Sequence, residues 1–152
     1  MKKFLQFIRP AIFIAILGLT FASCSDDKDE PIDFNQLPTI SQNFIKTYFT
    51  NVEIVNIIYE KDKNNHEYEV DLENGFELTF NKEGDWTDVN APNGQTIPDG
   101  IAPESIANYV SENYPDYGIN EISKEKNGYD VELTNGLDLN FNLQGEFTGI
   151  DR

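Results

Sequence analysis

The sequence predicts an α+β protein made of two tandem repeats, each one helix followed by a four-stranded antiparallel meander, with the helices packed on the sheet. Three observations support this fold class. Residues 68–86 return as residues 129–147 with nine identities in nineteen positions and four exchanges of one acid for the other. An apolar stripe of helical spacing precedes each copy, and apolar and acidic residues alternate within each copy.

The predicted helix of the first repeat begins at Pro38, because proline fits the first turn of a helix. Its apolar stripe comprises Ile40, Phe44, Ile45, Tyr48 and Phe49. In the second repeat Pro103 begins the counterpart helix and Pro115 ends it. Helical spacing is what packing against a sheet requires, so these aromatic side chains are predicted to belong to the core rather than to a ligand-binding cage.

Four strands are predicted after each helix, from an alternation that leaves one sheet face packed and the other wet. Directly opposed residues share a face, so Leu72 is expected to pair with Phe76 across a three-residue loop. For the same reason Phe80 is expected to pair with Trp86. Each loop has glycine as its third residue, as a type I turn followed by a left-handed bulge residue requires. A two-residue Asn-Gly hairpin is the competing interpretation, but it would turn Leu72 toward the acidic face.

The chain divides into five segments. They are a signal peptide (1–23), a disordered acidic tether (24–36), the first repeat (37–89), a linker rich in proline and glycine (90–100) and the second repeat (101–152). The tether is charged and poor in apolar residues, so it cannot pack. It is either a plain solvated spacer or a segment resembling the acid-rich stretch that follows the cysteine in surface-exported lipoproteins of some Gram-negative bacteria.

The signal peptide is recognised by its charge and apolar run. Lys2, Lys3 and Arg9 are basic, and the apolar stretch from Ala11 to Leu19 is broken only by Gly18. This stretch is shorter than the roughly 20 residues that a membrane-spanning helix needs. A transmembrane helix is therefore the weaker interpretation.

Cys24 is the only cysteine, so no intrachain disulfide can form. Phe21-Ala22-Ser23-Cys24 resembles the bacterial lipobox, in which the cysteine is lipidated and becomes the mature N-terminus. The alternative is a cysteine near an ordinary cleavage site. We predict that Cys24 carries the lipid and holds the protein on the outer membrane, on the periplasmic or cell-surface side, because more than one acyl chain gives stable anchoring.

The charge of the chain limits its partners. Without the signal peptide, 27 acids remain against 8 bases, a formal net charge of −19. A chain this acidic repels phosphate backbones, so nucleic acid is not an expected partner. Basic proteins and cations are compatible with it.

The predicted strands place acids on the wet face of both repeats. Asp71 is expected opposite Glu77, and Glu132 opposite Asp138, although like charges facing each other across strands are unfavourable. The complete predicted face comprises Glu69, Asp71, Glu77, Asp130, Glu132 and Asp138. One interpretation is a solvated face that prevents aggregation. The other is a docking surface for a basic protein partner, or a weak calcium site.

The sequence offers no recognisable catalytic set. His66 is the only histidine and is predicted to be a solvated residue at a hairpin tip. There is no strained Gly-x-Ser-x-Gly turn, no phosphate-binding loop and no EF-hand spacing. One histidine and one lipidated cysteine do not make a zinc site. We therefore expect a protein that is not an enzyme, with no catalytic residue, cofactor or dedicated metal site.

The repeat resembles the PepSY-like family of beta-lactamase-inhibitor-like proteins over about residues 37–151. The residues that carry the resemblance are Tyr68, Val70, Leu72, Asn74, Gly75, Phe80, Gly84 and Trp86, with Tyr129, Val131, Leu133, Asn135, Gly136, Phe141, Gly145 and Phe147. The resemblance implies an exported binding or inhibitor-like module without catalysis, and no inhibitory residue can be carried over. The alternative function is a structural or accessory component of an outer-membrane protein assembly.

Overall fold

The computed structural model describes residues 29–61 and 66–151. Within these ranges the strands are β1 (Glu30–Pro31), β2 (Ile54–Lys61), β3 (His66–Leu72), β4 (Glu77–Asn81), β5 (Trp86–Asn90), β6 (Ile119–Glu125), β7 (Gly128–Leu133), β8 (Asp138–Asn142) and β9 (Phe147–Ile150). The helices are α1 (Thr39–Tyr48) and α2 (Glu104–Asn113), and a short 3-10 helix spans Phe34–Gln36.

The nine strands form a single antiparallel sheet in sequence order, from β1 to β9. The predicted fold class is therefore wrong. The described chain is mostly one nine-stranded sheet with two short helices of ten residues each, not two α+β units of a helix followed by a four-stranded meander. The physical reason is the strand edge. In separate meanders β5 and β6 would each present unpaired backbone groups, and pairing them with each other satisfies those groups.

The linker between the halves is held against this junction by Asn120. The side chain of Asn120 is buried, and its Nδ2 donates to the carbonyl oxygens of Ala91, Pro92 and Gln95 at 3.1, 3.2 and 2.9 Å. In addition, the Ile97 amide donates to the Ile119 carbonyl at 2.9 Å. The chain therefore folds back beside β6 after β5, which keeps the two strands adjacent.

Both helices pack on the same face of the sheet through aromatic contacts. The Phe44 ring of α1 meets Phe80 edge to face, with centroids 5.5 Å apart. The Tyr109 ring of α2 meets Phe141 in the same way at 5.4 Å. The prediction that the helical aromatics belong to the core is confirmed for these two rings.

Glycine turns let the start of each helix approach the sheet. Gly84 has φ +94° and lies under α1, where the Ser41 hydroxyl donates to its carbonyl oxygen at 3.0 Å. A Cβ on Gly84 would lie 2.5 Å from the Pro38 Cβ. Gly145 has φ +75°, and a Cβ at this position would collide with the Ser105 hydroxyl at the start of α2. These positions require glycine both for the backbone conformation and for the close contact.

The core lies between the helices and one face of the sheet, and it runs without a break through both halves. Its fully buried side chains include Phe80, Leu78, Ile106, Ile122, Leu133, Leu139, Val70, Val89 and Val131. Burial of each large apolar side chain stabilises the fold by about 1.5–3 kcal/mol relative to exposure. No helix of the described residues lies on the opposite face, which carries the acids.

The predicted turns are confirmed. The Leu72 amide donates to the Phe76 carbonyl at 2.9 Å, and Gly75 has φ +85°. Phe80 pairs with Trp86 across the second loop. Local turn chemistry therefore set the register of β3 and β4 as the alternation predicted, whereas in β5 a bulge between Trp86 and Asp88 shifts the register by one residue.

The N-terminal predictions are only partly within the described residues. The signal peptide, Cys24 and residues 25–28 lie outside them. Residues 30–31 form β1 and residues 34–36 form the 3-10 helix, so the disordered tether was predicted too long at this end. No helix in the described part of the chain is long and apolar enough to cross a membrane.

Candidate functional site: the acidic face of the sheet

The face of the sheet away from the helices carries two rows of polar side chains that run across the strands. The first row is Asp71, Glu77, Asn90, Glu121, Glu132 and Asp138, each residue opposite the next. The second row is Glu69, Thr79, Asp88, Ser123, Asp130 and Asn140. We call the eight carboxylates of these rows the acidic face. No lysine or arginine belongs to either row.

All six acids that the sequence predicted for this surface lie on it. Asp71 is paired with Glu77, and Glu132 with Asp138, as predicted. Opposed side chains in a sheet have Cβ atoms about 4.5–5.5 Å apart, so each pair brings two carboxylates close together. Because β5 and β6 join the halves, the two predicted groups form one continuous surface rather than two separate ones.

The sequence analysis missed two acids at the centre of this surface. Asp88 in β5 and Glu121 in β6 lie at the junction of the repeats. The Ser123 hydroxyl donates a hydrogen bond to the Asp88 carboxylate. Strict alternation from Trp86, which is on the packed face, would place Asp88 on that face too, but a bulge between Trp86 and Asp88 turns Asp88 to the acidic face. The position of Glu121 depends on the β5–β6 pairing, which the sequence did not reveal.

The raised pKa values of Asp88 and Glu121 show that desolvation and neighbouring negative charges outweigh the favourable contacts of these two carboxylates. Burial raises the pKa of Asp88, with smaller increases from Glu77 and Glu125, and the hydrogen bond from Ser123 opposes them. Burial also raises the pKa of Glu121, helped by the charges of Asp88, Glu132 and Asp138. Each group is harder to ionise than in water because it is partly desolvated and surrounded by like charge.

No ion pair within the described residues relieves the acidic face. In the ranges 29–61 and 66–151 the salt bridge is between Lys82 and Glu83, 3.6 Å apart on an exposed turn. Part of the second half of the face forms a depression of about 200 Å³, lined among others by Glu121, Glu132, Asp138 and Asp151. The surface therefore offers several carboxylates to a cationic ligand, and no basic side chain of the described ranges forms an ion pair with them.

A second acid group lies at the start of the sheet. Glu60, Glu67 and Glu69 can bring one carboxylate oxygen each to within 4.8 Å of one another. Burial raises the pKa of Glu60, and the charges of Asp29 and Glu67 add to the effect. Burial raises the pKa of Glu69 as well, with Glu60 the largest charge contribution. Oxygen ligands of this kind suit a hard cation such as Ca²⁺.

His66 is not a solvated loop residue, so that prediction was wrong. It is the first residue of β3 and is partly buried. Its Nδ1 lies 2.7 Å from the Tyr59 hydroxyl oxygen across the β2–β3 pair. The predicted loop was misplaced because the strand alternation extends two residues further toward the N-terminus than Tyr68.

Known proteins share this sequence pattern and this architecture. The sequence profile of the PepSY-like family, described as beta-lactamase-inhibitor-like, matches residues 24–83 and 66–149. No curated protein matches the chain. Eight solved chains are similar to it, and three of them serve for comparison.

The first of the three is a periplasmic protein of Bacteroides thetaiotaomicron described as calcium-regulated, with 35% identity and a TM-score of 0.78, covering 82% of this chain and 97% of its own. A periplasmic protein of Bacteroides vulgatus has 38% identity and a TM-score of 0.78, covering 84% and 100%. Another from that species, of unknown function, has 30% identity and a TM-score of 0.77, covering 82% and 100%. These relatives support an exported location. With the family profile matching both halves and relatives of this identity aligned over most of their length, the chain belongs to the PepSY-like family.

Proposed function

We propose that the protein is a non-enzymatic, membrane-tethered binding module of the cell envelope, and that its acidic face binds a basic protein partner. The observation that carries the proposal is the first row of the acidic face, in which carboxylates oppose one another in both repeats on either side of Asn90, with no basic residue among them. A surface that holds like charges together costs stability, and a cationic partner relieves that cost. Inhibition of an enzyme is one way in which such a module acts.

The electrostatics favour a protein partner over a small anion or nucleic acid. Without the signal peptide the chain carries a formal net charge of −19, with 8 bases against 27 acids, so it attracts basic proteins from a distance and repels polyanions. Steering of this kind increases the association rate at low salt and weakens when ions screen the charges, within about 10 Å at 0.1 M. The binding is therefore expected to depend strongly on ionic strength.

The experiment is a capture of envelope proteins on the immobilised protein at low and high salt. The test variant replaces Asp71, Glu77, Glu132 and Asp138 with Asn or Gln. The control variant replaces the same number of exposed acids away from the face, Glu53, Glu73, Asp99 and Glu112. Both variants lose the same net charge, so only a loss specific to the first assigns binding to the acidic face.

The expected result is a partner that is retained by wild type and by the control, is released by salt, and binds the test variant more slowly. Equal binding to all three proteins would show that the face is only a solvated surface. A complex that stays intact at high salt and consists of outer-membrane proteins would instead favour the structural or accessory role.

The proposed tether is a lipid on Cys24. Its support is the lipobox-like segment 21–24, the absence of a second cysteine in the sequence and the exported location. In a Cys24→Ala variant the protein should leave the outer-membrane fraction and become soluble, because the acyl chains provide the anchoring. A variant that fractionates with the outer membrane as wild type does would refute the anchor.

Calcium binding is a second candidate function, favoured by the group of Glu60, Glu67 and Glu69 and by the relative described as calcium-regulated. Titration of the protein with Ca²⁺ in an isothermal calorimeter tests it. A Glu60→Gln, Glu69→Gln variant should bind less tightly than a Glu53→Gln, Glu73→Gln control. Absence of heat in wild type, or equal binding in both variants, would remove this candidate.

A further inference from the structure

We propose that the outer edge of β9 is a docking site for an extended protein segment that adds to the sheet as a further strand and alternates basic with apolar side chains. The inference rests on the proposed function, because it specifies how a basic partner would reach the acidic face. Main-chain hydrogen bonds would supply affinity and the alternating side chains would supply specificity.

The pairing of β5 with β6 shows within this molecule how a strand adds to such an edge. β9 is the counterpart of β5 at the repeat offset of 61 residues. In β5, Val89 is paired with Ile122 of β6 and is fully buried. In β9, the equivalent Ile150 is paired with Leu139 of β8, and no strand of the described chain lies on its other side. The Ile150 side chain is 46% exposed, whereas that of Val89 is 0% exposed.

The backbone N–H and C=O groups of Ile150 in β9 are oriented to pair with an added strand. The Asp151 amide donates to the Asp138 carbonyl at 3.1 Å, so these two residues form a hydrogen-bonded pair. Antiparallel ladders alternate, so the N–H and C=O of Ile150 point away from β8. In β5 the Ala91 amide donates to the Asn120 carbonyl at 2.9 Å, and the same alternation directs the Val89 groups to β6.

The charges along this edge specify the partner. The first row of the acidic face continues through Asp138 to Asp151, which is exposed at the open edge. The residue of an added strand that lies opposite Asp151 would therefore face a carboxylate, which a lysine or arginine neutralises.

The neighbouring positions specify the alternation. Gly149 lies two residues before Asp151 on the same face of β9, and no atom lies within 4 Å of the position that a Cβ on Gly149 would take. That open space lets a second long basic side chain lie across the sheet toward Asn140. The residue between the two basic ones would turn to the helix side, where Ile150 and Phe147 are exposed apolar neighbours.

The same charges disfavour a second copy of this chain as the occupant. Two acidic faces would then be joined edge to edge, each ending in Asp151. The opposite edge of the sheet is also less suitable for strand addition, because β1 has only two residues and one of them is Pro31.

The test uses the protein as purified from the envelope and a short, end-capped, fluorescent peptide in which lysine and valine alternate. The informative variant is Ile150→Pro, which removes the outward N–H while leaving the bonds between β8 and β9, and Gly149 before it has no Cβ to clash with the proline ring. Ile150→Val is the matched control. A peptide with the same residues grouped in two blocks controls for charge alone.

The alternating peptide should bind wild type and Ile150→Val equally. It should bind Ile150→Pro at least about tenfold more weakly, because the variant loses a main-chain hydrogen bond and leaves the peptide's acceptor unsatisfied. The block peptide should bind much more weakly to all three proteins. Hydrogen exchange on wild type gives an independent readout that requires no variant, because the Ile150 amide should gain protection when the alternating peptide binds.

Equal binding to Ile150→Pro, or an Ile150 amide that gains no protection, would overturn the proposal. If the quadruple variant of Asp71, Glu77, Glu132 and Asp138 loses the peptide while Ile150→Pro keeps it, the edge site fails and the proposed function stands. If Ile150→Pro loses the peptide and the quadruple variant keeps it at every salt concentration, the edge site stands and the acidic face fails. A dimer of the free protein that Ile150→Pro dissociates would replace the partner strand with a second copy.

Discussion

Replacing Asn120 with alanine should destabilise the protein more than any exposed substitution, because its side chain holds the linker at the junction of the two halves. Asn120 is 4% exposed, and its amide group faces three carbonyl oxygens at 2.9–3.2 Å. An alanine here would remove this donor from all three oxygens, of which the Pro92 oxygen keeps the Gln95 amide as a donor, and would open a small cavity.

The expected cost follows from the hydrogen bonds. A protein hydrogen bond contributes about 0.5–1.5 kcal/mol net, and a buried acceptor left unsatisfied costs about 1–3 kcal/mol. The Asn120 amide has two hydrogens for three acceptors, so two full bonds are a reasonable count. The free energy of unfolding should therefore fall by about 2–4 kcal/mol. Asn120→Asp should be worse at neutral pH, because a carboxylate cannot donate and would face carbonyl oxygens.

The repeat provides a matched control for this measurement. Val55 occupies the position equivalent to Asn120 in the first repeat, where no linker covers it, and its side chain is 68% exposed. Val55→Ala should change stability by no more than about 0.5 kcal/mol. Urea unfolding followed by circular dichroism gives both values. A loss below about 1 kcal/mol in Asn120→Ala, or an equal loss in Val55→Ala, would refute this account of the junction.

Three further outcomes are expected. Because the pKa values of Asp88 and Glu121 are raised in the folded state above their ordinary 3.8 and 4.5, the folded state binds more protons than the unfolded state. The melting temperature should therefore rise as the pH falls from 7 toward 5, and it should rise less in Asp88→Asn. A melting temperature that falls, or that changes with pH in Asp88→Asn as it does in wild type, contradicts this. Gly145→Ala should cost more stability than Gly136→Ala, because both have positive φ but only a Cβ at 145 would meet the start of α2; equal losses in denaturant unfolding would refute the close contact. Residues 34–95 alone should not melt cooperatively, because β5 would lose β6 and expose Val89; a transition matching that of the whole chain would show that each half is independent.

Local features of the fold were predictable because they depend on neighbouring residues. The pairing of Leu72 with Phe76 follows from alternation and a single glycine, and so does the opposition of Asp71 and Glu77. Both are settled within a span of a few residues, where turn geometry restricts the register. Within each repeat the three predicted acids share a face for the same reason, whereas the β5–β6 pairing joins the two groups into one surface.

The fold class failed because it depends on a pairing that alternation does not encode. Nothing in the pattern of β5 or β6 says whether its outer edge is open or paired, and the linker between them is long enough for either arrangement. The deciding contacts involve Asn120, whose sequence neighbourhood resembles an ordinary strand. The central acids Asp88 and Glu121 were missed with that pairing.

Strict sequence order in the sheet also determines how such a protein can change length. No connection crosses over another strand, so a third copy of the unit could follow β9 without rethreading any part of the existing chain. At about 4.8 Å per strand, each added set of four strands would lengthen the sheet by about 19 Å. Gene duplication could therefore lengthen the sheet in fixed steps, with the width of its helix-covered and acidic sides unchanged.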